Sequence, residues 1–289
     1  MLARAKINLH LHITGRADNG YHLLDSLVVF TSLADEIQIR SSDHYDLKIH
    51  ERMGSQPLSS TDNLVTRATY LLAHHLGIPP YVSIDLFKNI PLSAGLGGGS
   101  ADAAAILTLL KKHWKLESDD LLQLVAASLG SDILACLYNV PVIMRETGNK
   151  LIPAPSIPKL YALLVNPNMP CPTPAAYRIY AENNSQFSNK VAFPDEFRSP
   201  DSLCRFLKDH TRNDLTEAAI SLVPQIKNIL DWLSVYPDCL LARLSGSGAT
   251  CFGLFAEKEH AEKAGQDIIK DHQNTPLDLR LECVEVNGE

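Results

Sequence analysis

Four glycines fall within the five positions 95–99 of this 289-residue chain: Gly95, Gly97, Gly98 and Gly99, followed by Ser100. Without side chains, such a turn folds tightly and brings several backbone N–H groups close to one anion. A helix start behind it adds partial positive charge, and phosphate is the natural ligand of that arrangement. Residues 82–87 alternate apolar and polar as a strand leading to the turn, and residues 101–112 have strong helix propensity. The turn is neither G-x-x-x-x-G-K-[ST], since no lysine follows it, nor G-x-G-x-x-G, since Ser100 stands where a third glycine belongs. The bland alternative is a flexible linker. A turn wedged between a strand and a helix carrying Ala101, Ala103, Ala104 and Ala105 instead suits close packing on a ligand.

Other chemistry-bearing residues lie far from the turn. From residue 5 to 13 the odd positions are apolar and the even ones polar, the pattern of a half-buried strand, so Lys6 and Asn8 share a face. Taken alone, Lys6 reads as an exposed strand lysine. Asp132 follows Gly130-Ser131 at an expected helix start, where the helix dipole favours negative charge and where a capping aspartate is the plain alternative. Tyr21-His22 closes a polar turn over residues 15–20 and is unremarkable by itself. The remaining histidines show no metal-ligand spacing, and no metal ligand is assigned.

Composition narrows the function classes. A net charge of −7, a pI near 5.9 and no basic run longer than Lys111-Lys112 give no footprint for nucleic acid or an anionic membrane. The six cysteines form no C-x-x-C pair and read as reduced thiols. Arg4, Lys6, Asn8, His10 and His12 interrupt any signal-peptide core, and no apolar stretch approaches the roughly 20 residues of a membrane span. These features fit a cytoplasmic small-molecule enzyme of unknown oligomeric state.

Strands are expected at residues 23–32, 36–40, 47–50, 140–145, 160–166, 242–244, 250–255 and 280–286. Helices are expected from the caps at 59–63 to about His75, then at 101–112 and 118–129, and in a short one that Ser131 caps and Asp132 starts. In the second half they fall at 173–182, 202–208, 215–223, 225–234 and 258–273. Three prolines in residues 152–158 mark the boundary, giving halves at 1–157 and 158–289 and an α+β organisation.

The stretch 91–105 resembles the phosphate-binding motif of the GHMP kinases. Residues 5–15 with 18–22 resemble the opening of the branch that acts on cytidine diphosphate-linked methylerythritol, and 62–65, 130–132, 172–174 and 244–249 continue the likeness in order. The resemblance implies a two-domain GHMP kinase, its N-terminal half ribosomal protein S5 domain 2-like and its C-terminal half ferredoxin-like. It implies phosphorylation of the acceptor's 2-hydroxyl by ATP with Mg²⁺, in isoprenoid precursor biosynthesis.

The family's base and cation map onto Asp132 and Lys6. ATP would lie along Pro91, Leu92, Ser93, Ala94, Gly95, Leu96, Gly97, Gly98, Gly99, Ser100 and Ala101, with Asn63 and Lys88 near the nucleotide and Ser100 touching phosphate or Mg²⁺. Asn8 and Thr173 would contact the acceptor, and Tyr21, His22 and Tyr177 its cytosine, while Gly246 and Gly248 pack on the glycine turn. Rival readings are a kinase of mevalonate or homoserine and a nucleotide-binding regulator without catalysis. Ile133-Leu134 replaces the family's usual Val-Pro, and residues 146–150 replace a more glycine-rich turn.

Overall fold

The alternating stretch at the N-terminus forms two strands rather than one, β1 (Leu2–Asn8) and β2 (His12–Arg16). The break has a direct cause: Leu9 N donates to Leu27 O, whereas Leu11 N donates to Arg212 O, so residues two apart are paired to different segments. The even positions are not solvated either. Lys6, Asn8, His10 and His12 are all no more than 6% exposed, so both faces are covered and the polar face is held by directional bonds. The two runs expected at 23–32 and 36–40 form a single 19-residue strand, β3 (His22–Arg40).

A computed structural model describes residues 1–51, 63–183, 186–272 and 278–286. The chain forms two compact units that interleave along the sequence. The first comprises Met1–Lys6, Leu33–Leu92 and Gly97–Val140, and the second Ile7–Ser32, Ser93–Leu96 and Pro141–Glu289.

In the first unit the later part of β3 pairs antiparallel with β5 (Val82–Lys88), and β4 (Tyr45–Glu51) lies parallel to β5. Four helices accompany these strands: α1 (Leu64–Leu76), α2 (Gly98–His113), α3 (Asp120–Leu129) and α4 (Ser131–Tyr138). α1 starts where the Asn63 side chain accepts from Val65 N at 2.8 Å and stops at Gly77, whose φ of 64° suits a residue without Cβ. Of the caps expected at 59–63, only Asn63 lies among the described residues. Gly130, not Ser131, occupies the N-cap of α4, so Ser131 opens the helix and Asp132 sits in its first turn. Leu72, Ile84, Leu86 and Ile106 are fully buried.

In the second unit the earlier part of β3 pairs with β6 (Val142–Glu146), which turns back through Gly148 into β7 (Lys150–Pro153). The proline-rich stretch expected to be a boundary therefore begins inside an edge strand, where a proline costs no ladder bond. Residues 146–150 are the hairpin turn itself. Beyond them come β8 (Leu160–Asn166), α5 (Thr173–Glu182), α6 (Pro200–His210), α7 (Thr216–Leu222) and α8 (Gln225–Val235). The chain continues as β9 (Leu241–Leu244), β10 (Cys251–Phe255), α9 (Lys258–His272) and β11 (Arg280–Val286).

The strands line up as β11-β8-β10-β9, all antiparallel, with α8 and α9 sharing one core with them. That order is the split βαβ arrangement of ferredoxin-like domains, as the resemblance implies. Among the described residues no helix is long and apolar enough to cross a membrane.

Asp25 of β3 is fully buried and holds the loop at residue 191: Arg145 Nε donates to it at 2.8 Å and the Val191 N–H at 2.6 Å, with His10 Nε2 at 3.7 Å. Burial alone would push this carboxyl up, but His10, the Val191 N–H and Arg145 outweigh it and hold Asp25 at about 2. Because the folded value is depressed, the stabilisation, roughly 2 kcal/mol, is present above the unfolded value near 4 and is lost as pH falls toward 2. Urea unfolding at pH 5 and pH 2.5 should show a smaller acid-induced drop for Asp25→Asn than for the parent protein. Equal drops would remove Asp25 as the cause.

Candidate active site

The glycine turn is divided between the two units, and each part is fixed by its own neighbours. In the first unit, Gly97 takes the N-cap position of α2 with φ of 67°, and Ala101 N donates to its carbonyl. The N–H groups of the first helical turn have no partner within the helix, and no acidic residue lies in that turn to compete for their positive end. A Cβ on Gly97 would come within 2.8 Å of Lys6 Cγ, so the lysine stem runs directly against this glycine. Gly98 is similarly tight, 3.0 Å from Ile90 Cγ2, whereas Gly99 has only an ordinary contact with Leu64 at 3.5 Å.

Lys6 then reaches Asp132: its Nζ lies 3.3 Å from Oδ2, with the lysine side chain 7% and the aspartate side chain 38% exposed. A buried cation thus meets a carboxylate that remains open to a ligand. Lys6 is not the exposed strand lysine that its local sequence suggests.

Lys88 is engaged otherwise than expected of a nucleotide contact. It is 7% exposed and its ammonium donates to two buried carboxylates, Asp35 and Asp102, the latter at 2.6 Å. Burial would lower the lysine, but the charges of Asp102 and Asp35 overcome it and raise it. Burial pushes Asp102 up; Lys88 opposes that, and the like charge of Asp35 adds to it. Two carboxylates here share one ammonium. Asp35 Oδ1 also accepts from Ile90 N at 2.8 Å, and a Cβ on Gly98 would sit 3.6 Å from Lys88 Nζ, so the cluster lies immediately behind the turn. Asn63 likewise spends its side-chain oxygen on capping α1.

In the second unit, residues 93–96 are tied to the turn at 245–250. Ser245 Oγ donates to Gly95 O at 2.9 Å and Thr250 N donates to Ala94 O at 3.2 Å, while a Cβ on Gly95 would collide with the Ser245 carbonyl. Gly246 and Gly248 therefore lie in a turn that packs on this part of the loop, as the resemblance implies. The residues expected to contact the acceptor also belong to this unit. The His22 ring stacks on Tyr177 at 5.2 Å and 29°, and its edge meets Tyr180 at 5.9 Å. Burial, then Arg16, lowers the His22 pKa, favouring a neutral ring. Tyr21 stays 69% exposed, Thr173 Oγ1 lies 2.7 Å from Ser247 Oγ, and Asn8 Nδ2 donates to Ser26 Oγ at 2.8 Å.

Sequence reasoning missed Asp35, Ser26 and Ser247. Ser247 lies within the stretch 244–249 that carries the resemblance, whereas Asp35 and Ser26 carry no spacing signal. Asp102 lay inside the glycine-loop stretch without being singled out.

The glycines divide by geometry. Gly97→Ala combines a left-handed φ with a collision against Lys6, and it should weaken binding of a phosphate ligand at least tenfold. Gly99→Ala should change it less than threefold, because its Cβ has room. Calorimetric titration with a nucleoside triphosphate checks both.

Comparison with known proteins places this arrangement. The GHMP kinases N terminal domain matches residues 63–140 and the GHMP kinases C terminal domain residues 192–273. A 4-diphosphocytidyl-2-C-methyl-D-erythritol kinase of Caulobacter vibrioides is 43% identical, over 90% of this chain and 91% of its own length. One from Rhodospirillum rubrum is 42% identical, over 93% of this chain and 88% of its own. A crystal structure of 4-(cytidine 5'-diphospho)-2C-methyl-D-erythritol kinase superposes with a TM-score of 0.78 at 29% identity, covering 100% of this chain and 99% of that one. A homoserine kinase from Cytophaga hutchinsonii, at 20% identity and a TM-score of 0.67, shares the fold. With both domains matched, and relatives this similar over nearly their whole length, the chain belongs to the 4-diphosphocytidyl-2-C-methyl-D-erythritol kinase family of the GHMP kinases.

Proposed function

We propose that this chain transfers the terminal phosphoryl group of ATP to the 2-hydroxyl of 4-diphosphocytidyl-2-C-methyl-D-erythritol, a step in isoprenoid precursor biosynthesis. The observation that carries the reading is the Lys6–Asp132 pair at 3.3 Å, with the Lys6 stem pressed on Gly97 at the start of α2. Phosphoryl transfer asks little covalent help of a protein and much positioning and charge neutralisation. The N–H groups of residues 98–100 and the α2 dipole hold phosphate oxygens, and Lys6 offsets charge at the transferring group. Asp132 orients the acceptor hydroxyl and takes its proton as the new O–P bond forms and the bond from the γ-phosphorus to the bridging oxygen of ADP breaks.

Bound with the nucleotide, Mg²⁺ would neutralise phosphate charge. Ser100 offers a hydroxyl oxygen of the hard type that this ion takes alongside water and phosphate oxygens. Among the described residues no group of three His, Cys, Asp or Glu forms a cage of its own. Pro91 to Ala101 line the nucleotide, with Asn63 near it at the start of α1 and Lys88 supporting that segment from behind.

On the acceptor side, His22 offers its polar edge to cytosine and Tyr177 and Tyr21 supply aromatic faces, while Asn8 and Thr173 contact the rest of the acceptor. A mevalonate or homoserine kinase has no use for a base-stacking pair, and a regulator without catalysis has none for Lys6 and Asp132. The division at 157/158 belongs to the same reading, since the two matched stretches fall on either side of it. We place the enzyme in the cytoplasm, in keeping with six free cysteines.

Purified protein given Mg-ATP and the cytidylyl acceptor should release ADP. Asp132→Ala should lower kcat by about 10³-fold or more while leaving the ATP KM within a few-fold, as expected for loss of the base and hydroxyl orientation together. No ADP release, or an unchanged kcat in Asp132→Ala, sinks the proposal. Tyr177→Ala should raise the acceptor KM about tenfold, the scale of one lost stacking contact, without changing that for ATP. Equal turnover of mevalonate by both forms would point to the other acceptor class.

A further inference from the structure

Within the second unit, the turn at 245–250 holds residues 94 and 95 by their carbonyls. Ser245 Oγ donates to Gly95 O at 2.9 Å, and Thr250 N donates to Ala94 O at 3.2 Å. Both peptide bonds that follow those carbonyls are trans, and in a trans peptide the carbonyl and the next N–H point to opposite sides of the chain. With the two carbonyls drawn to the 245–250 turn, the Gly95 and Leu96 N–H groups are directed away from it. Gly95 is left-handed, with φ of 75°, and successive N–H groups presented on one side of such a turn form a small anion receptor. Among the described residues neither N–H donates to a protein acceptor. Leu96 is 2% exposed, so its N–H is an orphan where buried backbone donors are otherwise paired.

The holding turn is itself fixed. Ser245 is fully buried, its N–H donates to Thr250 O at 2.9 Å, and its carbonyl accepts from Gly248 N at 3.0 Å. Thr250 Oγ1 accepts from Asn166 Nδ2 at 2.8 Å. A serine hydroxyl has one hydrogen, and a carbonyl can only accept, so that hydrogen goes to Gly95 O. The Asn8 N–H, 3.4 Å from the same Oγ, is a donor toward it and does not compete for the hydrogen. Without a Cβ, Gly95 lets the peptide it forms with Leu96 turn over at little steric cost. Turned over, that peptide would set its carbonyl where an anion belongs.

We infer that Ser245 is a positioning residue that holds the Gly95–Leu96 peptide with the Leu96 N–H turned to a phosphate oxygen of the nucleotide, while the Thr250 main chain holds the Ala94–Gly95 peptide in the same sense. This rests on the reading of the glycine turn as a phosphate site. Ser245 acts on the ligand through the peptide it holds. Its removal is therefore felt at the Leu96 amide and in nucleotide affinity.

Leu96 and Leu254 are the leucines that follow a glycine in this sequence, so protein carrying carbonyl-13C glycine and 15N leucine shows only their amides in a spectrum filtered for that coupling. On titration with a non-hydrolysable ATP analogue and Mg²⁺, the Leu96 amide proton should move downfield as it donates to a phosphate oxygen, while that of Leu254, in β10, stays in place. Ser245→Ala should shrink that movement and weaken the analogue about tenfold, the scale of one charge-assisted hydrogen bond, with a smaller change in the acceptor KM. Ser245→Thr, which keeps the hydroxyl, should restore both. Should Ser245→Ala fold poorly, Ser245→Cys keeps the shape with a weak donor and should show the same selective loss. If the analogue binds the parent protein without moving the Leu96 signal, the inference falls alone. It falls likewise if Ser245→Ala leaves the movement and the affinity unchanged, or weakens acceptor and analogue alike. If the analogue does not bind the parent protein, the phosphate reading of the glycine turn falls and the inference with it.

Discussion

The stem of Lys6 lies against the α-carbon of Gly97, and much of the first unit's chemistry depends on that contact. A lysine that must be buried, charged and aimed at a carboxylate needs a route for its methylenes, and the missing Cβ of Gly97 provides it. The same glycine, in a left-handed conformation open to few other residues, turns the chain into α2. One atom's absence therefore serves two ends: it starts a helix whose first-turn N–H groups can receive an anion, and it lets the cation reach Asp132. The family membership of the chain agrees with such an economical site, because phosphoryl transfer needs placed charges more than reactive groups.

Elsewhere the same problem is solved with buried polar groups that are over-determined by their bonds. Arg243 is 8% exposed and, among the described residues, donates to no carboxylate; it donates to Leu9 O, Thr211 Oγ1, Thr211 O and Leu207 O. Burial lowers it to about 10, still far above neutrality, so it stays a cation held by carbonyl and hydroxyl dipoles. It closes the end of α6 and fixes Leu9 beside the segment that carries Asn8. The Lys88 cluster behaves comparably behind the glycine turn. Such groups are costly to bury, and the cost is offset only when each donor and acceptor is paired. Their presence beside the loop and the N-terminal strands gives those segments single, well-defined positions.

Much of this was legible in the chain itself. The glycine turn, the helix behind it and the second-half order of helices and strands follow from motif and periodicity, since local backbone preferences and short spacings carry them, whereas the roles of Lys6 and Asp132 came with the family resemblance. β11 and α5 coincide with their expected spans, and α9 fills its expected span as far as the described residues reach. The merging of two expected strands into β3 and the splitting of the first strand were not legible. Whether a strand continues is decided by which distant backbone groups it meets, here Leu27 and Arg212.

The sequence by itself determined which residue types stand at the site and the backbone turns that serve them, because glycine conformation, helix propensity and alternation are properties of neighbours in the chain. Only the tertiary structure decided what those side chains do: that Lys6 is buried against Gly97 rather than solvated, that Lys88 is held between Asp35 and Asp102 behind the loop, and that Asn63 caps α1. The physical reason is that hydrogen-bond direction and charge pairing are fixed by atoms brought together from positions as far apart as Lys6 and Asp132, and spacing along the chain carries no trace of them.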